Sequence, residues 1–273
     1  MLNNITIGQY YPVKSVIHAM DARVKLLCTI IFFTIIFFIS GFLGYAFAVI
    51  CLATVIKLSK VPPKFMLRGL RAIMFIILFT AFLNIFFTAG TTVLFSIGFV
   101  NITLEGLLNA ARMSLRFIML IVSGSVLTLT TTPIQLTSAI EYSLAPLKRI
   151  GVPSHEIAMM MTIALRFIPT LIEEMDKIMK AQMARGADFD TGGIIKKAKS
   201  MVPLLVPLFI SSFRRADDLA LAMEARCYRG DINRTKMKEM RLTNIDYKAY
   251  ILTILFIGGI VGIEIITRRF GLF

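Results

Sequence analysis

Two arginines, Arg185 and Arg226, each stand near the end of a similar helix-like segment. The segments read AQMARGAD at 181–188 and AMEARCYR at 222–229, and they align at an offset of 41 residues (226 minus 185). The offset pairs Asp176 with Asp217, Ala181 with Ala222, Ala184 with Ala225 and Arg185 with Arg226. Small residues leave a guanidinium unobstructed, and that group suits docking against carboxylates and carbonyls because it stays charged when covered.

The chemistry that this pattern indicates is recognition. Two near-equivalent helix ends suit a partner with two similar sites, and each end would lie in a groove of that partner. A helix-terminal arginine can also interact only with the helix dipole while it remains in water. The match between the two segments, including the alanines and the aspartate, favours docking over that alternative.

Other constellations that could carry chemistry are missing from the sequence. No G-x-x-x-x-G-K-[ST] segment occurs, so the chain has no P-loop for a nucleotide. An intramembrane aspartyl pair would need Asp188 and Asp190, but both belong to a charged loop. The histidines and cysteines lack metal-ligand spacing: His18, His155, Cys28, Cys51 and Cys227. We therefore predict that the chain is not an enzyme and binds no cofactor or metal itself.

The elements that position the two arginines belong to a membrane protein. Hydrophobic residues make up 57% of the chain, and the mean hydropathy is +0.78. Uncharged apolar runs lie at 26–56, 72–104, 117–140 and 249–263. Because a bilayer crossing needs about 20 helical residues, the sequence predicts an all-α integral membrane protein. The net charge of +14 fits the cytoplasmic flanks of such helices better than nucleic-acid binding.

The run 26–56 is too long for one crossing. Its 31 residues would form a helix of about 46 Å. Basic residues flank both of its ends: Arg23, Lys25, Lys57, Lys60, Lys64, Arg68 and Arg71. Since basic flanks favour the cytoplasm, we predict a cytoplasmic N-terminal segment at 1–25 and then a hairpin of two crossings. Gly41 and Gly44 are expected to supply the turn of that hairpin.

Two further crossings complete a four-crossing segment at 26–131. We predict a crossing at 72–89, an external loop at 90–105 that contains a small hairpin or interfacial loop, and a crossing at 106–131. Thr103 is expected to cap the last of these helices, with Glu105 in its first turn.

Residues 133–246 contain many charged residues, unlike the uncharged apolar runs that precede them. We predict that they form long amphipathic helices on the cytoplasmic side. The apolar segments 157–165 and 201–210 are too short to span a bilayer alone, and each continues into a charged stretch. A last crossing at 247–267 brings the count to about five. The C-terminus would then lie outside, with Arg268 and Arg269 on the side that the positive-inside tendency disfavours. A miscount by one crossing is the alternative.

Three charged side chains fall within predicted crossings: Arg112, Arg116 and Glu264. Near helix ends such side chains can extend to the interface. The alternative is a buried polar contact between helices or with a partner membrane protein.

Over essentially its whole length the sequence resembles the transmembrane T component of energy-coupling factor transporters, a family that includes the membrane subunit of cobalt uptake systems. The resemblance rests on the order and spacing of GQYYPVKSVIHAMDARVKLL, LTTTPIQL, APLKRIGVP, ALRFIPTLIEEMDKIMKAQMARGAD, PLLVPLFISSFRRADDLALAMEARCYRG and Asn233-Arg234-Thr235. It implies a scaffold that joins two ABC-type ATPases to a small membrane subunit, and that subunit binds the vitamin or metal ion. ATP and Mg would bind to the ATPases.

The resemblance also implies roles for particular residues. In the family, cytoplasmic coupling helices end in two X-Arg-X motifs, each held in a groove of one ATPase. On this chain they are Ala184-Arg185-Gly186 and Ala225-Arg226-Cys227. Cys227 departs from the common Ala-Arg-Gly form, which puts in doubt any need for glycine's backbone freedom there. The apolar segments, with Met159, Met160, Met161 and Met201, would offer an adaptable surface to the substrate-binding subunit.

This interpretation predicts a multi-pass protein of a bacterial or archaeal cell membrane, with a cytoplasmic N-terminus and no nucleic-acid partner. A stand-alone permease or channel is the alternative, and it would give flux without ATPases. An intramembrane enzyme would instead depend on Asp188 or His155. The sequence leaves open which substrate is transported and whether several substrate-binding subunits share this component.

Overall fold

The computed structural model describes residues 10–88, 90, 92–97, 100–189, 193–230 and 240–270. Predictions for residues 1–9, Asp190 and Asn233-Arg234-Thr235 lie outside this part of the chain. Helices make up most of the described residues, which confirms the predicted all-α class. Its described residues form two compact units, the bundle unit (10–139 and 240–270) and the helix-pair unit (140–230).

The elements follow one another as a series of helices interrupted by one β-hairpin. They are α1 (Val16–Ala19), α2 (Ala22–Phe38), α3 (Phe42–Ser59), α4 (Pro63–Phe87), β1 (Val93–Ile97), β2 (Val100–Thr103), α5 (Leu104–Thr130), α6 (Pro133–Leu144), a 3₁₀ helix (Ala145–Ile150), α7 (Ser154–Ala184), α8 (Ile194–Ala225) and α9 (Asn244–Phe270). The helix-pair unit holds the end of α6, the 3₁₀ helix, α7 and α8. The other described elements belong to the bundle unit.

The core of the bundle unit lies between α2, α3, α4, α5 and α9. Its buried side chains include Ile36, Tyr45, Leu70, Met119 and Ile260. Large apolar side chains also cover the outside, where Phe38, Phe75 and Phe87 are more than 70% exposed. An exposed apolar surface of this extent indicates contact with lipid or with other membrane proteins.

The apolar run at 26–56 is divided at residues 39–41 into α2 and α3. Gly41 is the N-cap of α3 and therefore belongs to the turn. Gly44 was expected to share that role, but it lies inside α3 and is buried. A Cβ atom at Gly44 would lie 2.7 Å from Ile39 Cγ2, so glycine is needed there for close packing against the turn.

The hairpin of β1 and β2 precedes α5. The strands are antiparallel, with Val93 opposite Thr103. Of the two alternatives predicted for this loop, a small hairpin or an interfacial loop, the structure shows the hairpin. Thr103 caps α5 as predicted, because its Oγ1 accepts the Gly106 N–H at 3.1 Å and donates to the Thr88 carbonyl at 3.0 Å. Glu105 stands in the first turn and accepts the Thr92 hydroxyl at 2.9 Å.

Among the described residues, five helices are long and apolar enough to cross a membrane: Phe42–Ser59, Gly69–Phe87, Leu104–Thr130, Ser154–Ala184 and Asn244–Thr267. The protein is therefore a multi-pass membrane protein, and the number agrees with the prediction. The set differs, because α2 has only 17 residues. Helix α7 qualifies instead, since it contains an 18-residue window with a mean hydropathy of 1.3. The segment 157–165 is short by itself, but it is part of a 31-residue helix. The bounds assigned to individual crossings stay predictions.

Helix α9 runs in the same direction as α2 within the bundle unit. At its start, Asp246 Oδ1 accepts the Asp21 N–H at 2.8 Å. Near its end, a Cβ atom at Gly41 would lie 3.0 Å from Thr267 Cγ2. The C-terminal end of α9 thus lies at the same end of the bundle unit as the α2–α3 turn.

Two of the charged side chains in the predicted crossings contact the α2–α3 region. Arg116 donates to the Tyr45 hydroxyl at 2.8 Å and stands over the Phe37 ring at 5.4 Å. The Glu264 carboxylate accepts the Ser40 N–H at 3.5 Å. Arg116 thus forms a polar contact between two helices, α5 and α3, which was one of the two alternatives, whereas Glu264 contacts the turn between α2 and α3.

Candidate docking site

Helices α7 and α8 carry the two arginine motifs. α7 has 31 residues and contains Pro169, whereas α8 has 32 residues and contains Pro203 and Pro207. In each helix the apolar segment continues without a break into the charged stretch. The sequence predicted this continuity from the direct succession of apolar and amphipathic residues.

The two helices are antiparallel. Near the start of α7, Met159 Sδ accepts a bond from the Tyr228 hydroxyl at 3.0 Å, just beyond the end of α8. Further along α7, Glu174 contacts Arg215, which lies earlier in α8. Residue numbers therefore rise on α7 as those of their partners fall on α8.

An ion pair lies where the middle parts of the helices meet. Arg215 Nη2 is 2.9 Å from Glu174 Oε2, and the Ser211 hydroxyl donates to the other carboxylate oxygen. The Arg215 guanidinium also lies 6.0 Å from the centre of the Phe167 ring. The side chains of the pair are 35% and 24% exposed, so solvent screens their attraction and the pair contributes about 1 kcal/mol or less.

The ion pair joins equivalent positions of the two aligned helices. Glu174 and Arg215 differ by 41 in number (215 minus 174), which is also the offset between the two arginine motifs. Arg185 follows Glu174 by 11 residues, and Arg226 follows Arg215 by 11 residues. We call residues 174–185 of α7 and 215–226 of α8 the two arms of the helix pair. At 1.5 Å per residue each arm is about 16 Å long, and the arms point in opposite directions because the helices are antiparallel.

The first arginine motif, Ala184-Arg185-Gly186, closes α7 with a Schellman ending. Gly186 has φ +88°, and its N–H donates to the Met183 carbonyl at 3.0 Å. The Ala187 N–H donates to the Gln182 carbonyl at 3.0 Å. This pair of bonds satisfies carbonyls that the end of a helix leaves without partners.

The second arginine motif, Ala225-Arg226-Cys227, closes α8 with the same ending. The Cys227 N–H donates to the Glu224 carbonyl at 2.8 Å, and the Tyr228 N–H donates to the Met223 carbonyl at 3.0 Å. Cys227 has φ +54°, so it adopts the left-handed conformation despite its side chain. The substitution of Cys for Gly therefore leaves the backbone requirement in place, contrary to the doubt that the sequence raised.

The side chains of both motif arginines are exposed. Neither guanidinium has a hydrogen-bond partner within the described part of the chain, so both are available to another molecule. Their exposure is also compatible with cations that only interact with the helix dipole. The assignment of the two motifs as docking residues stays a prediction.

The four methionines assigned to a contact surface separate into two groups. Met160 and Met201 are 58% and 52% exposed, whereas Met159 and Met161 are half-buried. Met201 begins an exposed apolar row on α8 that continues with Leu205, Phe209 and Phe213. The spacing of four residues along this row could have revealed it in the sequence.

Within the bundle unit, side chains near the start of α2 bind two backbone carbonyls, one that precedes the helix-pair unit in the sequence and one that follows it. Lys25 Nζ donates to the Thr130 carbonyl at 2.9 Å, and Arg23 Nη2 donates to the Met240 carbonyl at 2.8 Å. Asp246, which is fully buried, accepts the Asp21 N–H. Sequence reasoning missed this polar cluster, since its members are far apart in the chain.

The fold and these helix ends define a class of protein: a multi-pass helical membrane protein that presents two equivalent arginine-bearing ends. Residues 13–237 match the family described as CbiQ, cobalt transport protein. The chain is 57% identical over 260 residues to the energy-coupling factor transporter transmembrane protein EcfT of Thermosediminibacter oceani, covering 95% of this chain and 98% of that protein. The protein of the same name from Bacillus subtilis is 46% identical over 246 residues, which cover 90% and 93% of the two chains.

The chain therefore belongs to the family of energy-coupling factor transporter transmembrane proteins, as the resemblance in its motifs predicted. The names of its relatives describe a membrane component of a transporter and not a catalytic subunit. They also imply a complex with further subunits.

Proposed function

We propose that this protein is the scaffold of an ATP-driven importer. It couples ATP hydrolysis by two ABC-type ATPases to the uptake of a vitamin or metal ion, which a separate small membrane subunit binds. ATP and Mg bind to the ATPases, and this chain holds neither. The complex lies in a bacterial or archaeal cell membrane, with the N-terminus of this chain in the cytoplasm.

The observation that carries the proposal is the equivalence of the two helix ends. Both motifs have an exposed arginine, a left-handed residue after it and the same two backbone hydrogen bonds. Both also lie 11 residues beyond the Glu174–Arg215 pair. Two equivalent ends on opposite arms suit two similar ATPases better than any single partner.

Coupling then follows from rigid-body movement. When the ATPases close on ATP, they draw the two arginine motifs together and change the angle between α7 and α8. The backbone on either side of the helix-pair unit transmits this change, because Lys25 and Arg23 hold the Thr130 and Met240 carbonyls in the bundle unit.

The substrate-binding subunit contacts the exposed apolar row on α8, together with Met160. Apolar side chains in that row, including Phe209 and Phe213, are more than 60% exposed. Methionine adapts to differently shaped partners, which suits a component that several substrate-binding subunits share. Selectivity for the vitamin or metal ion resides in that subunit.

The proposal is tested by reversing both motif charges. Arg185→Glu together with Arg226→Glu is expected to abolish both co-purification with the ATPases and ATP-driven uptake in proteoliposomes. The matched control reverses two exposed charges elsewhere on the same helices, Lys177→Glu together with Arg214→Glu, and is expected to retain both ATPases. Uptake by the double motif variant, or flux through the chain alone in liposomes, would support a stand-alone permease instead.

A further inference from the structure

The turn between α3 and α4 carries a cluster of positive charge. Residues 57–71, which we call the basic turn, contain five basic residues and no acidic one. Four of the basic residues have described side chains, and all four are exposed: Lys57, Lys60, Lys64 and Arg71. None of these four side chains forms a hydrogen bond or an ion pair within the described part of the chain. Their charges are therefore available to another molecule.

The acidic residues of the bundle unit do not neutralise the basic turn. The described part of the unit contains four of them: Asp21, Glu105, Asp246 and Glu264. Glu105 follows the hairpin beyond the end of α4, and Glu264 contacts the turn before α3. Both thus lie at the end of the unit opposite to the basic turn. Asp21 and Asp246 are at the same end, but Asp21 is in an ion pair and Asp246 is fully buried.

Exposed apolar side chains lie among the cations of the basic turn. Leu58 and Leu67 are 50% and 58% exposed. Along α4, Lys64, Leu67 and Arg71 follow the spacing i, i+3 and i+7, so they share one face of the helix. The surface of the basic turn is therefore both cationic and apolar.

The basic turn lies where two candidate membrane spans end. The span in α3 ends at Ser59, and the span in α4 begins at Gly69. Residues 60–68 thus follow one span and precede the next. Arg71 is two residues inside the second span, and its long side chain can extend to the interface. This is the depth at which lipid headgroups meet the hydrocarbon of the bilayer.

We propose that the basic turn binds anionic phospholipids of the surrounding bilayer. The phosphate groups pair with the exposed cations, and the acyl chains lie against Leu58 and Leu67. Basic clusters directly beside a membrane span attract anionic lipid headgroups. Charge complementarity selects an anion, and the exposed leucines at the ends of the spans favour a lipid over an acidic protein surface. This binding is separate from the docking of the two arginine motifs.

Lys60 gives a means of separating lipid binding from stability. It follows α3 in the left-handed conformation, with φ +55° and ψ +19°. Glycine adopts this conformation readily, whereas a side chain there is unfavourable. Lysine at this position thus adds a cation to the basic turn although it does not favour the backbone. Replacement by glycine removes the charge without disturbing the fold.

The test measures binding of phosphatidylglycerol. The full-length chain is purified in mild detergent with the subunits that accompany it, and bound lipid is counted by native mass spectrometry. Phosphatidylglycerol is expected to bind about tenfold more tightly than phosphatidylcholine. A variant that lacks the four exposed cations should bind it about tenfold more weakly or worse, since each cation near an anionic surface contributes about fivefold. Its substitutions are Lys57→Gln, Lys60→Gln, Lys64→Gln and Arg71→Gln.

The matched control removes four exposed cations from the helix-pair unit: Lys177→Gln, Lys180→Gln, Lys199→Gln and Arg214→Gln. These cations lie among acidic residues in the sequence, so their loss should leave the affinity for phosphatidylglycerol unchanged. Equal affinity of the wild type for the two lipids, unchanged affinity in the basic-turn variant, or equal losses in the two variants overturns the inference. Loss of an accompanying protein from the basic-turn variant, with lipid affinity unchanged, would assign the surface to an acidic protein and also overturns it.

Two further measurements cover misfolding and free phosphate. Lys60→Gly should unfold at the same or a higher temperature, yet bind phosphatidylglycerol about fivefold more weakly. Unchanged affinity in this variant overturns the inference. Inorganic phosphate in excess is expected to leave bound phosphatidylglycerol in place, because it cannot replace the acyl-chain contacts. Displacement by phosphate would assign the cations to a soluble anion instead of a lipid.

Discussion

Glu174 and Arg215 form an ion pair, with Arg215 Nη2 2.9 Å from Glu174 Oε2. The two residues occupy equivalent positions of the antiparallel helices α7 and α8. Contact between equivalent positions means that the two helices meet at a point from which both arginine motifs are equally distant. The Glu174–Arg215 contact is therefore the point about which α7 and α8, and with them the two arginine motifs, are arranged equivalently.

Loss of the Glu174–Arg215 pair is expected to lower the free energy of unfolding only slightly. Glu174→Gln should cost about 1 kcal/mol or less, because both side chains are partly exposed and screened. Thermal unfolding in detergent measures this change. The exchange Glu174→Arg with Arg215→Glu should recover most of the loss, and a penalty that persists in the exchanged chain would show that the contact contributes through packing.

Glycine at position 227 is expected to stabilise the end of α8. A side chain in the left-handed conformation costs about 1–2 kcal/mol, and the greater freedom of glycine in the unfolded chain offsets about 0.5–1 kcal/mol. Cys227→Gly should therefore raise the unfolding free energy by about 1 kcal/mol, and Gly186→Ala should lower it. Urea or thermal unfolding tests both variants, when it is monitored with a spectroscopic probe placed in the helix-pair unit.

The control for these substitutions is Gly258→Ala in α9. Gly258 has ordinary helical φ, and a Cβ atom there would meet nothing within 4 Å. Alanine should be neutral or stabilising at this position. If Gly186→Ala and Gly258→Ala behave alike, positive φ does not determine the stability of the first motif.

Lower pH is expected to destabilise the N-terminal part of the bundle unit through His18. Burial, together with the nearby Lys25 charge, lowers the pKa of His18 below its usual value of 6.5. The folded state thus binds the proton less readily than the unfolded chain does. The contribution of His18 to stability is complete above pH 6.5, and it is lost as the pH falls through 6.5 towards the folded-state pKa.

Thermal unfolding between pH 5 and pH 8 measures this dependence. Replacement by glutamine, His18→Gln, should make the unfolding temperature less sensitive to pH in that range. An identical pH profile in the two proteins would assign the dependence to other groups.

The buried Asp246 is expected to be intolerant of amide substitution. Its Oδ1 accepts the Asp21 N–H at 2.8 Å, and its Oδ2 accepts the Thr243 N–H and hydroxyl, both at 2.7 Å. Asp246→Asn replaces one acceptor oxygen with a donor, so it should cost about 1–3 kcal/mol. The exposed Asp217→Asn should change stability by about 0.5 kcal/mol or less, and equal effects would contradict the importance of burial.

The sequence predicted the helical class, the cap at Thr103 and the position of Arg185 and Arg226 at helix ends, because each depends on residues close together in the chain. The Glu174–Arg215 contact could have been suspected from the 41-residue offset. The cluster around Asp246 could not, since it joins residues about 225 positions apart (246 minus 21). The role of Gly44 was also hidden, because it depends on how closely the Ile39 side chain approaches.

The equal arms of the helix pair have a mechanical consequence. An arm of about 16 Å that turns about the Glu174–Arg215 contact moves its arginine by about 0.3 Å per degree. Since the two arms have the same length, rotation of both arms by the same angle displaces Arg185 and Arg226 by the same distance. A rotation of about 10° displaces each guanidinium by about 3 Å, which is roughly the length of one hydrogen bond.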